Sequence, residues 1–345
     1  MFFSINRISR AVAFLAVCAL VACATAKGAD NNFKKEKKAA KEATKESKEA
    51  RKEAPKAKTL GEAVRVLGDR GFNLAVMHGL EDRAIDEDLA GKLAPEDAAK
   101  SLAAEAKCDV QQNAAYAFLY LNKQPYDALT GVTFAKRLDP SYADLKATIA
   151  LGSKTKLFTA LALLGRGLDR TFVVDNNLAE TPCGELALTN APVEAVLEAI
   201  LKSSRVLGFG VDSTEEFVFI SGASTPPPRS ALLNAAALDD ARRTLLEKRV
   251  TVHLPADPKD PKRVGLDVGA ETLETAAEGL SRQLGVPVVL DANLKGLPVN
   301  PVVMPKIRVG TALDLIVRQW PVRDFGYEVQ PDRILIRQRK PSDAS

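Results

Sequence analysis

An apolar stretch at helical spacing that runs into a short β-branched strand and closes on leucine is written three times in this chain. A recurring pattern of this kind constrains the fold more than any single motif, because each copy must solve the same burial problem in the same way. The three passages are TLGEAVRVLGDRGFNLAVMHGLEDR from Thr59, KLFTALALLGRGLDRTFVVDNNLAE from Lys156 and TLETAAEGLSRQLGVPVVLDANLKG from Thr272. Leu60, Val64 and Leu67, Leu157, Leu161 and Leu164, and Leu273, Ala277 and Leu280 fall on one helical face in each. A Gly or Arg stop follows, and the closing residues Leu80, Leu178 and Leu294 lie 20, 21 and 21 residues after the opening leucines Leu60, Leu157 and Leu273. Two of the copies carry nearly the same seven residues, Phe172 to Leu178 (FVVDNNL) and Val288 to Leu294 (VVLDANL).

The match continues downstream. A second helix is predicted at PEDAAKSLAAEA from Pro95, PVEAVLEAILKSS from Pro192 and VGTALDLIVRQW from Val309, with Ala98, Ala195 and Ala312 at corresponding places. Proline suits a first helical position because its missing amide has no intrahelical partner there. Two short strands follow each time: CDVQQ and AFLYL, GFGVD and EFVFIS, GYEVQ and RILIR. Their turns are Asn113-Ala114-Ala115, Ser213-Thr214-Glu215 and Pro331-Asp332. Each copy therefore reads helix, strand, strand, helix, hairpin. A further strand precedes the second and third, LKATIAL (145–151) and VTVHL (250–254) or VGLDV (264–268).

This order, with the phrases LxxALxxLGxxxxxxxVVDxxL and then ALxxIL, GFxV and VxI, resembles the short N-terminal (STN) domain shared by secretins and TonB-dependent receptors. The resemblance covers 59–121, 156–221 and 272–338 and is strongest in the last. It implies an α+β fold of three tandem small modules, each with two helices packed between small β-sheets, and a docking role in the periplasm. Neither a secretin barrel nor a receptor barrel accompanies it, so the resemblance implies a module and not a channel. Alternating apolar positions such as Phe217 and Phe219, or Ile334 and Ile336, suit strands that cover helices. Domains of this size are marginal alone, so neighbours are expected to lean on one another or on a partner.

The first sixty residues differ in composition. Arg7 and Arg10 precede AVAFLAVCALVA, an apolar run too short to span a bilayer, which reads as a secretory signal over 1–22. Leu20-Val21-Ala22-Cys23 resembles the bacterial lipobox, so Cys23 is the expected lipidation site; cleavage after Ala24-Thr25-Ala26 is the alternative and would release a soluble periplasmic or secreted protein. Ala24 is not the acidic residue that in many bacteria retains a lipoprotein at the inner membrane, so the family analogy points to the outer one, facing the periplasm. Residues 23–58 read as a solvated tether, since 27–58 holds twelve Lys or Arg and six Asp or Glu with almost no large apolar residue. Fully helical, it would reach roughly 50 Å at ~1.5 Å per residue. A basic strip touching anionic lipid, cell wall or nucleic acid is the sharper reading of the same residues. Removing that basic stretch and the signal arginines leaves 34 basic and 38 acidic residues in 59–345, which argues against a nucleic-acid surface.

The expected boundaries are 59–122 for the first module, 144–222 for the second, 223–249 for a Pro-rich and helical linker and 250–340 for the third. Residues 122–143 read as irregular with a helical turn. Pro226 to Pro228 are expected to be extended, Ser230 to open a helix carrying Leu233, Leu238 and Leu245, and 255–262 to form an exposed hairpin loop.

Candidate chemistry is sparse. His78 and His253 are far apart in sequence, with His78 read as taking the place of Asp175 and Asp291. No cluster of His, Cys or carboxylates has metal-ligand spacing, and neither a nucleophile elbow, a P-loop nor a Rossmann glycine pattern occurs. No catalytic residue, cofactor or metal is therefore expected. Asp175-Asn176-Asn177 and Asp291-Ala292-Asn293 read as turn residues that bond nearby backbone. Cys108 and Cys183 are expected as unpaired, mostly buried thiols, a bridge being the alternative, and Trp320 as a core plug rather than a partner anchor. The expected function is a non-catalytic envelope scaffold that docks other envelope proteins, including secretin or TonB-type components, by strand addition or face packing. The alternative is a small-ligand sensor or enzyme with a site between modules.

Overall fold

The computed structural model describes residues 57–86, 88–92, 94–121, 138–206, 208–222, 231–254, 271–320 and 325–340. The expected signal, the Cys23 site and nearly all of the tether lie outside them. So do most of 122–143, Pro226 to Ser230, the loop at 255–262 and the candidate strand at 264–268.

Helices and strands mix throughout, giving an α+β chain. The N-terminal segment, 57–121, opens with α1 (Leu60–Asp69), whose Thr59 hydroxyl accepts from the Glu62 amide at 3.3 Å. Its buried face, Leu60, Ala63, Val64 and Leu67, is the one that the spacing predicts. Strand β1 (Leu74–Val76), α2 (Leu89–Lys92), α3 (Pro95–Glu105), β2 (Asp109–Gln112) and β3 (Ala117–Tyr120) follow. The middle segment, 138–222, comprises β4 (Lys146–Leu151), α4 (Leu157–Leu168), β5 (Thr171–Val174), α5 (Asn176–Ala179), β6 (Leu186–Pro192), α6 (Val193–Ser203), β7 (Phe209–Ser213) and β8 (Phe217–Gly222). The C-terminal segment, 231–340, comprises α7 (Asp240–Glu247), β9 (Arg249–Leu254), β10 (Glu271–Thr272), α8 (Leu273–Leu284), β11 (Val288–Leu290), β12 (Pro298–Val299), β13 (Val302–Arg308), α9 (Val309–Arg318), β14 (Phe325–Val329) and β15 (Ile334–Gln338).

Strand pairing repeats. In each segment the strand after the first helix runs parallel to the last strand of the hairpin, whose other side pairs antiparallel with its own first strand: β1-β3-β2, β5-β8-β7 and β11-β15-β14. In the middle and C-terminal segments a second, antiparallel ribbon, β4 with β6 and β9 with β13, packs on the helices and bulges at the same point of its strand. Asn190 and Lys306 take positive φ, 52° and 48°, at those bulges. The first helix of every segment is followed by a left-handed residue, Gly71, Asp169 or Gly285, which ends the helix and turns the chain into the strand. One and the same interval separates Leu157 from Leu273, Val193 from Val309 and Phe209 from Phe325, the starts of matching elements.

Three expectations are corrected. The helix expected from Ser230 begins at Asp240, capped by Asp239, because Ala231 to Leu233 is extended and bonds Tyr327 through both its amide and its carbonyl. Met77, not His78, takes the place of Asp175 and Asp291: the amides of Met77, Asp175 and Asp291 donate to Leu119, Ile220 and Ile336. The N-terminal segment has no second ribbon of its own among the described residues. Its β1 instead pairs antiparallel with β6, joining two segments in one sheet ordered β2-β3-β1-β6-β4.

Two apolar cores result. One fills the N-terminal and middle segments, and the other fills the C-terminal segment together with Val173, Phe217 and Phe219 of the middle one. Residues of β8 thus divide by face: Val218 and Ile220 enter the first core, Phe217 and Phe219 the second.

Candidate interaction surface

The candidate residues named from the sequence make the following contacts. Asp175 is fully buried; its carboxylate accepts from the Leu178 amide at 3.2 Å and the Gly222 amide at 2.7 Å, tying the end of β5 to the end of β8. Asp291 makes the matching bond to the Gln338 amide at 3.2 Å. His78 Nδ1 lies 3.1 Å from Glu81, and His253 holds Gln283 through its backbone amide and carbonyl. Cys108 and Cys183 are free thiols; burial pushes them up to about 11 and about 12, away from the reactive thiolate. Trp320 is buried, donates to the Pro298 carbonyl at 2.7 Å and meets Phe325 edge to face. Among the described residues no group of three or more His, Cys, Asp or Glu could hold a metal ion.

A cleft of about 310 Å³ opens between the middle and C-terminal segments, lined by Asp169, Arg170, Glu216, Arg249 and Lys306 among others. Glu216, Arg249, Asp169 and Lys306 are ion-paired there, whereas Arg170 Nε is buried without a partner. Glu216, 8 % exposed, meets Arg249 at 3.0 Å, Arg308 at 2.9 Å and the Thr311 hydroxyl at 3.0 Å, and Asp169 meets Lys306 at 3.3 Å. Glu216 raises the Arg308 guanidinium further above its usual range, so that cation stays charged. These contacts tie the middle and C-terminal segments together across the cleft.

The contact between segments is itself written twice. The His78 amide donates to the Ser203 carbonyl at 2.8 Å, and the Asn176 amide donates to the Gln319 carbonyl at 2.8 Å. His78 and Asn176 both stand two residues before the closing leucine, and Ser203 and Gln319 both end the second helix. Lys202 of α6 reaches Gln111 of β2 at 3.3 Å, while Arg318 of α9 reaches Asp212 of β7 at 2.8 Å. These partners match as well, because Gln111 pairs with Phe118 and Asp212 with Phe219 in their hairpins. Tyr116 donates to Glu198 of α6 at 3.0 Å, and the Arg318 guanidinium lies 4.3 Å from the Phe219 ring centre.

Close backbone approach differs at the two junctions. A Cβ on Gly184 would stand 1.9 Å from the Val76 carbonyl oxygen, so only glycine admits the β1–β6 ladder, in which the Val76 amide donates to Glu185 at 2.8 Å. Asn300 occupies the matching place at the second junction and bonds the Asn176 side chain. There β5 packs beside β13 without joining it in a sheet.

The C-terminal segment presents the third strand of this kind, β11, with no strand beside its outer edge among the described residues. Val289 corresponds to Ala75 and Val173, five residues before the closing leucine each time. Ala75 and Val173 are 0 % and 3 % exposed under the next segment, whereas Val289 is 38 % exposed. Arg333 and Leu335 stand where Phe217 and Phe219 stand in the middle segment, and Arg337 pairs with Glu328 on the same face. No sequence motif marks this surface. Its signal is the repeat itself, which shows what two earlier strands bury. No protein-family model, curated protein or solved structure matches the chain.

Proposed function

We propose that this chain is a non-catalytic docking protein of the bacterial cell envelope, built of three STN-like units over 59–122, 144–222 and 250–340 and joined by the linker at 223–249. In this reading Cys23 carries the lipid, residues 23–58 form the tether, and the units face the periplasm from the outer membrane. The partners are other envelope proteins, secretin or TonB-type components among them. The observation that carries the reading is the doubled junction: equivalent amides, carbonyls and helix cations join first unit to second and second to third. A fold that stacks its units through exposed strand edges and sheet faces is equipped for the same contact with other chains. Ion pairs of Glu216 with Arg249 and Arg308 and of Asp169 with Lys306 hold the segments together across the cleft, which supports a stacked docking architecture. Among the described residues no helix is long and apolar enough to cross a membrane.

The test has two arms. Mass spectrometry of the mature N-terminus should find a diacylated Cys23, and Cys23→Ser should leave the membrane fraction. Affinity capture from envelope extracts should recover a secretin or TonB-type component reproducibly; recovery of none, with a monomeric and inert protein, overturns the docking role.

A further inference from the structure

We propose that the outer edge of β11 is a strand-addition site whose occupant is a β-ribbon of another envelope protein, its inner strand antiparallel to β11 and running directly into a helix. The inference rests on the docking reading above and names the surface and the kind of partner. Asp291 donates its amide to Ile336 of β15, so the Leu290 amide, one residue earlier, points to the opposite, open edge. In the N-terminal segment the matching Val76 amide donates to Glu185, the residue just before β6. One step further along, His78 donates to the last carbonyl of α6 and Asn176 to the carbonyl of Gln319, which caps α9, and Ala292 stands at the third such place. Both earlier edges are therefore met by one kind of structure, a bulged antiparallel strand followed at once by a helix.

The sequence of β11, Val-Val-Leu, is apolar on both faces, as suits a strand covered on both sides, yet Val289 is open. Natural edges that stay free are blunted by short length, charge, proline or twist; β11 has three residues, as does β1, which is paired on both sides, and Val288 to Leu290 carries neither charge nor proline. Among the described residues no ribbon of a second copy is free to supply the occupant in the same geometry. Its β6 is already paired with β1, its β13 is packed beside β5, and its N-terminal segment has no described ribbon.

The probe is a synthetic peptide with the sequence of residues 184–204, which carries β6 and α6. Fluorescence anisotropy with the full mature chain should show saturable binding, and hydrogen exchange should slow across Val288 to Leu294. Val289→Lys, a change at an exposed side chain, should weaken binding by about tenfold or more, corresponding to about 1.4 kcal/mol, while Val289→Ile should bind like the parent. Absence of binding, equal binding to Val289→Lys, or protection confined to Leu74 to His78 overturns the inference. So does self-association of the chain that protects Val288 to Leu294, because the occupant would then be a second copy. Should the peptide fail while extracts still yield a secretin-type component, docking stands and uses another surface; the reverse result retains the edge and removes the assigned role.

Discussion

Phe219 and Ile220 are neighbours in β8 that serve different cores, and truncating each separates the role of the junction from the role of the segment. Phe219 is 3 % exposed, packs with the C-terminal core and lies under the Arg318 guanidinium; Ile220 is fully buried in the N-terminal core. Phe219→Ala should cost about 3–5 kcal/mol as a large-to-small core change, of which the lost cation–π contact supplies about 1 kcal/mol. Trp320 is the single tryptophan and belongs to the C-terminal core, so its fluorescence follows that segment while far-UV circular dichroism follows the whole chain. With a urea slope of about 2 kcal/mol/M, the Trp320 midpoint should fall by roughly 2 M in Phe219→Ala and pull away from the circular dichroism curve. Ile220→Ala should cost a similar amount but act first on the circular dichroism curve. If both variants shift both signals equally, or if Phe219→Ala costs under about 1 kcal/mol, the outer face of β8 is not a junction and the reasoning fails.

Gly184→Ala should destabilise by about 1–3 kcal/mol or more, since the added carbon collides with backbone at Val76, whereas Asn300→Ala at the matching place should not clash; urea melts of both variants check this. Asp175→Ala should cost about 3 kcal/mol and Asp291→Ala about 1, because only the first removes a fully buried carboxylate serving two amides. Burial raises the Asp314 carboxyl to about 6, opposed by Tyr327 and Arg318. Its proton is thus held more tightly in the folded chain, and its stabilising share is full below the unfolded value near 4 and lost as pH rises through about 6. Asp314→Asn should flatten stability between pH ~4 and ~6 and raise it at pH ~8, by at most about 3 kcal/mol, as thermal melts across that range will show. Maleimide should label Cys183 only on unfolding and Cys108 slowly in the folded chain, read by mass spectrometry at neutral pH; rapid labelling of both would contradict their burial.

Much of the order of elements was legible because apolar spacing and stop residues are local. The buried face of α1, the strands after each helix, the hairpins and the turn role of Asp175 all follow from short stretches of chain. What stayed hidden depends on partners distant in sequence. Nothing near Leu74 announces that β1 will pair with β6, since the residue that permits it is Gly184. Lys202 and Arg318 look like solvated helix cations until Gln111 and Asp212 are placed opposite them. The slip between Met77 and His78 has a physical root too: only the direction of each amide distinguishes them, and that direction is set by β3. Ala231 to Leu233 misled for the same reason, since its hydrogen-bonding partner, Tyr327, lies far along the chain.

Because the junctions repeat in one sense, the array has a head and a tail that differ. Head-to-tail contacts of that sort, when they do not close into a ring, continue into open filaments. Among the described residues the leading segment brings no ribbon of its own to offer a neighbour, so the proposed occupant of β11 is a strand from another protein rather than a copy of this chain. On the proposed reading, the described ribbons are used up inside the chain while the β11 edge is left for assembly with another protein.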